Sequence, residues 1–356
     1  MRTLIRPTAF VDSPFAHDGK VARLAGGLNW FAAVELLTIE RSQRKRAELL
    51  SIQELEARLD EDLSNQWQRL TGERAPLRLG QRTVRLDQPQ VMGIVNVTPD
   101  SFSDGGQYED DASAAVAGMR MTEQGAAIID VGGESTRPGS KTVWEGDEIE
   151  RVAPVIRQLA AGGAAVSVDT RKADVMTAAI AAGAHMVNDV SALTYDARSA
   201  AVVAEAQVPV VLMHHQGSPE TMQDNPRYGD VVVEVYEWLE ERIASAESAG
   251  IDRSAILVDT GFGFGKTVAH NLELMNNLAL FHSLGCPLVI GASRKRTIGA
   301  LSNEAPVDQR LGGSLALALK AAEQGAQLIR VHDVSDTVQA LRVWRGLRDQ
   351  ALTPRP

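Results

Sequence analysis

From residue 91 onward, short runs of Val, Ile, Leu and Ala alternate with longer stretches whose apolar residues recur every three or four positions. The runs predict strands at 91–96, 126–131, 165–169, 185–189, 209–213, 256–259, 287–291 and 328–331. The longer stretches predict helices near 111–124, 147–161, 173–182, 197–206, 230–249, 270–283, 310–324 and 335–347. Such near-continuous apolar strands belong to a parallel sheet covered on both faces. Gly125-Ala126, Gly183-Ala184 and Gly325-Ala326 supply left-handed helix ends directly before strands. Eight strand–helix units in this length predict an α/β fold, a closed (β/α)8 TIM barrel rather than an open doubly wound sheet.

Polar residues stand at the C-terminal ends of these strands: Asn96, Asp130, Asp169, Asn188 with Asp189, His214, Asp259, Ser293, and Arg330 with His332. In such barrels that rim carries the active site, so the pattern predicts an enzyme. Residues 1–88 read differently, as an N-terminal, partly helical extension of a barrel domain spanning 89–350. Leu49, Leu50, Ile52, Leu55, Leu59, Leu63, Trp67 and Leu70 fall at roughly helical spacing and predict a helical stretch over 42–70. Residues 77–86 predict a hairpin about Gly80-Gln81, lying across the barrel's N-terminal end. The extension shows no chemistry, and packing or partner docking is its simplest role.

Composition narrows the classes. The net charge is −10, with 44% hydrophobic residues. Residues 1–90 hold 14 Lys and Arg against 12 Asp and Glu, which leaves −12 on the remainder. A general nucleic-acid or membrane-surface partner would need a basic footprint, so neither is expected. The N-terminus lacks a continuous apolar leader core, and no run of 18 apolar residues occurs; a cytoplasmic enzyme is the expectation. The single Cys286 excludes an intramolecular disulfide and reads as a buried thiol.

Several motifs carry chemistry. "GFGFGKT" (261–267) lacks the first glycine of a phosphate-binding Walker loop, since Thr260 stands there. Phe262 and Phe264 could present a flat face to a ring or fill the core. "GASRKRTIG" (291–299) sets three cations at a strand end, as an anion site or a solvated run. Arg330 and His332 alternate on the last strand and so point the same way; with Lys295 nearby they suggest a pyrophosphate clamp. Asp169, Asn188 and Asp259 have no evident basic partner and suit a ligand rich in N–H groups, such as a 2-amino-4-oxo-pteridine. Helix capping by the two aspartates is the alternative. Adjacent His214 and His215 do not converge on one ion, so no metal is assigned to them.

Taken in order, "VMGIVNVTPDSFSDGG", "IDVGGESTRPGS", "SVDTRKADVM", "NDVSAL", "VLMHHQGSPETMQ", "DTGFGFGK", "GASRKRTIG" and "RVHDV" closely resemble the dihydropteroate synthase family over residues 90–346. The resemblance implies a barrel enzyme of folate biosynthesis and a sulfonamide target. It would join 6-hydroxymethyl-7,8-dihydropterin diphosphate to p-aminobenzoate, release pyrophosphate and use Mg²⁺. It assigns Asp169, Asn188, Asp259 and Lys295 to the pterin. Asn96 goes to Mg²⁺ and diphosphate, and Arg330 and His332 to the leaving group. Asp130 supports the metal from beneath and, with Asp169, Asp259 and Lys295, belongs to the catalytic set. Thr136, Arg137 and Pro138 line the p-aminobenzoate pocket with Phe264 and Lys295. The loop 98–106 folds over the diphosphate. A homodimer is implied as well. Two positions depart from the family pattern: Thr260 replaces a usual Pro, and Arg296 a frequent Ser. The rival readings are a pterin-binding methyltransferase and a catalytically inactive pterin-binding paralogue.

Overall fold

The computed structural model describes residues 1–15, 17–97, 111–135, 140, 142–217 and 221–353. The chain opens with a small module. Strands β1 (Arg2–Val11), β2 (Ala22–Arg23), β3 (Trp30–Glu40) and β4 (Gln43–Ser51) form an antiparallel sheet, with β3 pairing to each of the others. Helices α1 (Ile52–Glu56) and α2 (Glu61–Thr71) cover one face through Ile5, Phe31, Val34, Leu50, Leu55, Leu63 and Leu70. The other face presents Leu4, Leu37 and Ile39 to the barrel.

The helix expected over 42–70 therefore begins ten residues late, at Ile52, since Gln43–Ser51 is a strand. Arg41 and Ser42 both take left-handed backbone, at φ 52° and 57°, which is the two-residue turn matching strand twist. That turn folds 43–51 back onto β3, whose apolar run Trp30–Glu40 supplies a ready partner. Helix starts only where Ser51 and Glu54 form a reciprocal capping box.

β5 (Leu77–Leu79) and β6 (Arg82–Val84) pair antiparallel about Gly80. There φ is +61°, and a Cβ would stand 2.3 Å from His185 Nε2, so only glycine fits.

The predicted barrel follows. Strands β7 (Gln90–Asn96), β8 (Ile128–Gly132), β9 (Val166–Asp169), β10 (Met186–Asp189), β11 (Val210–Met213), β12 (Ile256–Asp259), β13 (Leu288–Ile290) and β14 (Leu328–Val331) close a parallel ring in which β14 pairs β7. Around it run α3 (Asp111–Glu123), α4 (Glu145–Ala161), α5 (Ala173–Ala182), α6 (Ser199–Ala206), α7 (Val231–Ser248), α8 (Val268–Asn276), α9 (Arg296–Leu301), α10 (Leu311–Glu323) and α11 (Val334–Ala351). The helix expected over 270–283 divides at Asn277 into α8 and a 3₁₀ segment, Leu278–Leu284, which the left-handed Gly285 ends.

Strand side chains alternate between faces, so positions two apart share the barrel interior. Met92, Ile128, Ala165, Met186, Val211, Leu257, Val289 and Leu328 form its lowest layer, and Leu77, Leu79, Val84 and Leu86 of the hairpin segment plug it from below. Two residues further along the same strands lie Asp130, Asn188, Asp259 and Arg330. One step in sequence period turns a hydrocarbon floor into a charged mouth.

Candidate active site

The mouth is built on Arg330, whose guanidinium spans the interior. Its Nε donates to Asp130 Oδ2 at 2.6 Å and its Nη2 to Asp169 Oδ2 at 2.7 Å. Asn188 Nδ2 donates to the same Asp130 oxygen at 2.9 Å. The expectation that these carboxylates lack a basic partner is thus corrected for Asp169. In a closed barrel, residues of one layer meet across the lumen, so a partner can come from a strand far away in sequence. Neither Asp169 nor Asp259 caps a helix; Lys172 and Thr267 hold the N-cap positions that follow them.

Asn96, Asp259, Lys295 and His332 complete the ring. A Cβ on Gly132 would lie 3.7 Å from Asn96 Oδ1 and 3.8 Å from Asp169 Oδ2, which brings those two oxygens to one small hollow. Gly291 leaves similar room between Arg330 and Asp259 Oδ2. Asp259 Oδ1 accepts from the Gly261 N–H at 2.7 Å. Lys295 Nζ donates to the Phe262 carbonyl at 2.7 Å and stands 3.8 Å from the centre of the Phe264 ring, a cation–π contact. His332 Nδ1 meets Ser293 Oγ at 3.1 Å. The three cations of the "SRKR" run separate: Arg294 pairs with Asp333, Lys295 faces the mouth and Arg296 is exposed.

Burial dominates the electrostatics. It raises Asp169, against the pull of Arg330 and with a push from Asp130. It raises Asp259 against the Gly261 N–H and nearby cations. It lowers the Lys295 amine to about 7, with Asp259 opposing. Asp130 Oδ1 and Asp169 Oδ1 are buried and have no hydrogen-bond partner among the described residues. Groups held in this state invite a ligand that supplies donors and countercharge.

The glycine-rich loop after β12 has a function that the motif reading missed. Gly261, Gly263 and Gly265 are all left-handed, and a Cβ on Gly261 would fall 1.8 Å from the His214 carbonyl. Phe262 fills the core, while Phe264 turns its ring face to Lys295. Lys266, passed over once the Walker pattern failed, is 3% exposed. Its Nζ contacts His214 Nδ1 at 2.8 Å, Phe264 O at 3.0 Å and Gly261 O at 3.1 Å, which staples the loop shut. Burial lowers this amine to about 7 as well, and the His214 ring well below its ordinary value. A buried lysine is legible in sequence only when its acceptors are known, and His214 lies 52 residues away.

Thr136, Arg137, Pro138 and the loop 98–106 lie outside the described residues. Cys286 is fully buried, and burial pushes its thiol up to about 11, as suits an inert group. Among the described residues, no three His, Cys, Asp or Glu gather as a self-sufficient metal cage. Asn96 with the buried carboxylates below it does fit a hard divalent cation that takes few protein oxygens and fills its shell with phosphate and water.

The family described as pterin binding enzyme matches residues 92–332. The dihydropteroate synthase of Escherichia coli K12 is 49% identical over 259 residues, which cover 72% of this chain and 91% of that protein. The crystal structure of Yersinia pestis dihydropteroate synthase with a sulfonamide drug superposes with a TM-score of 0.74 at 45% identity. It covers 77% of this chain and 99% of that one. The Xanthomonas albilineans enzyme in complex with 7,8-dihydropteroate gives 0.70 at 46% identity, covering 78% of this chain and all of that one.

Proposed function

We propose that this chain, which belongs to the dihydropteroate synthases among the pterin-binding enzymes, works through the mouth described above as follows. It condenses 6-hydroxymethyl-7,8-dihydropterin diphosphate with p-aminobenzoate to give 7,8-dihydropteroate and pyrophosphate. What carries the division of labour is the connected set Asn96, Asp130, Asp169, Asn188, Asp259, Lys295 and Arg330 around one opening.

Asp169, Asn188 and Asp259 accept and offer hydrogen bonds matched to the aminopterin edge, and Lys295 donates to its oxygen. Arg330 and His332 bind the diphosphate, since Arg330 Nη1 makes no hydrogen bond with the described residues. Asn96 would hold Mg²⁺ beside that group; when bound, the ion contributes positive charge to the departing oxygens. The methylene C–O bond breaks and its electron pair leaves with the diphosphate, whose charge Arg330 and His332 stabilise. The carboxylates of Asp169 and Asp259 favour the cationic character left on the ring system. The arylamine nitrogen of p-aminobenzoate then forms the new C–N bond and gives up one proton. It is uncharged at neutral pH, so the chain needs to supply position more than base strength. Phe264 and Lys295 form its binding wall among the described residues, and the family resemblance adds Thr136, Arg137 and Pro138 as further contacts.

The protein acts in the cytoplasm as a homodimer. Leu301, Val307 and Leu311 on the α9–α10 side, and Val343 and Leu347 on α11, are exposed apolar side chains that a second copy would cover. Among the described residues, no helix is long and apolar enough to cross a membrane.

The purified chain, given both substrates and Mg²⁺, should form dihydropteroate and pyrophosphate in equal amounts; no product at all would reject the function. Asp259→Ala and Lys295→Ala should each lower turnover at least about tenfold, about 1.4 kcal/mol. Near-normal kinetics in both would reject the residue assignments.

A further inference from the structure

The family match begins at residue 92, so the N-terminal module lies outside it. Yet the β3–β4 hairpin reaches the catalytic end of the barrel. Gln43 packs beside Gly229, where a Cβ would lie 3.2 Å from Gln43 Nε2. Arg44 Nε donates to Asp230 Oδ2 at 2.5 Å, and its backbone N–H to the same oxygen at 3.3 Å. Its Nη2 pairs with Glu273. Asp230 is the N-cap of α7, and Glu273 lies on α8. One guanidinium therefore ties together two helices that start at the mouth. The Arg44 side chain is 29% exposed and Asp230 9%, so this is not a freely solvated pair.

The glycine-rich loop is held by those same two elements. From the segment leading into α7, Tyr228 Oη donates to Gly265 O at 2.8 Å and Gln223 Nε2 to Gly263 O at 2.8 Å. From α8, Asn271 Oδ1 accepts the Gly263 N–H at 2.7 Å. The loop in turn presents the Phe262 carbonyl and the Phe264 ring, the two groups on which Lys295 rests.

We infer that Arg44 is a positioning residue: by bridging Asp230 and Glu273 it fixes the loop 261–265, and through it Lys295 and the Phe264 ring. The inference rests on the function proposed above. It gives the N-terminal module a part in setting the p-aminobenzoate wall. Other contacts anchor the module without approaching that wall. Arg2 pairs with Glu240 further along α7, and Arg348 on α11 holds Asp12 and the carbonyls of Val11 and Leu28.

The test uses full-length variants and steady-state kinetics in each substrate. Arg44→Ala should raise KM for p-aminobenzoate about fivefold or more, with kcat and the KM for the pterin diphosphate, which also depend on Lys295, changed less, by no more than about threefold. Arg44→Lys should recover part of the loss, because an ammonium cannot span both carboxylates as a guanidinium fork does. Arg348→Ala removes a module contact of the same kind and should leave both KM values unchanged. Should Arg44→Ala fail to fold, Glu273→Gln carries the test, with a smaller shift in the same direction. An unchanged p-aminobenzoate KM in the folded variant, or an equal shift in Arg348→Ala, overturns the inference while the wild-type activity stands. A wild-type chain that makes no dihydropteroate overturns the reading of the mouth and this inference with it.

Discussion

The two ends of the barrel use the same eight strands and differ only in which inward-facing position is taken. At the lower end the inward side chains are Met92, Ile128, Met186, Val211, Leu257, Val289 and Leu328, packed on a hairpin that matches them in kind. Two residues on, the inward side chains include Asp130, Asn188, Asp259 and Arg330, and the buried Asp130 Oδ1 has no hydrogen-bond partner among the described residues. The floor is complete in itself; the mouth is complete only with something added. Stability and chemistry are thus divided along the axis of one element rather than between domains.

Substitutions at the two ends should break in different ways. The largest effect belongs to Arg330→Ala, which leaves Asp130 and Asp169 buried against each other and should cost about 3–5 kcal/mol of folding stability. The deficit should shrink on acidification, since protonating a carboxylate removes the uncompensated charge; a deficit independent of pH in denaturant titrations would contradict the pairing. Next comes Leu79→Ala in the floor, where the side chain is 1% exposed. It should cost about 2–5 kcal/mol of stability with both KM values unchanged, and a change confined to kinetics would undo the contrast. The smallest effect sharpens it. Burial lowers the Lys266 amine to about 7 in the folded chain, so from pH 7 to 9 the unfolded chain holds the extra proton. Stability should therefore rise with pH over that window, Lys266 contributing at most about 1.4 kcal/mol per pH unit and Lys295 a like share. Lys266→Met should reduce the slope by its share, and an unaltered slope would remove Lys266 from the account.

Most of the barrel was legible because its strands announce themselves locally, as apolar runs with a polar residue at or just past the end, several of them preceded by a helix with a glycine terminus. The module was less so. In "QRKRAELLS", the apolar spacing of Leu49 and Leu50 with later leucines fits a helix, and only the pairing with β3 across Arg41-Ser42 makes it a strand. The membership of the mouth could be read from strand ends, but its pairings could not. Arg330 lies 200 residues from Asp130 and 161 from Asp169, and nothing local to any of the three specifies the contact. Lys266 and Arg44 were missed for the same reason: each acts through acceptors that the fold brings from elsewhere.

The hairpin beneath the barrel has a bearing on how molecules come and go. With Gly80 pressed against His185 and leucines closing the lower layer, the lumen is shut from below among the described residues. A guest at its inner end must enter before one at its outer end, so the order of arrivals follows from the architecture of the passage.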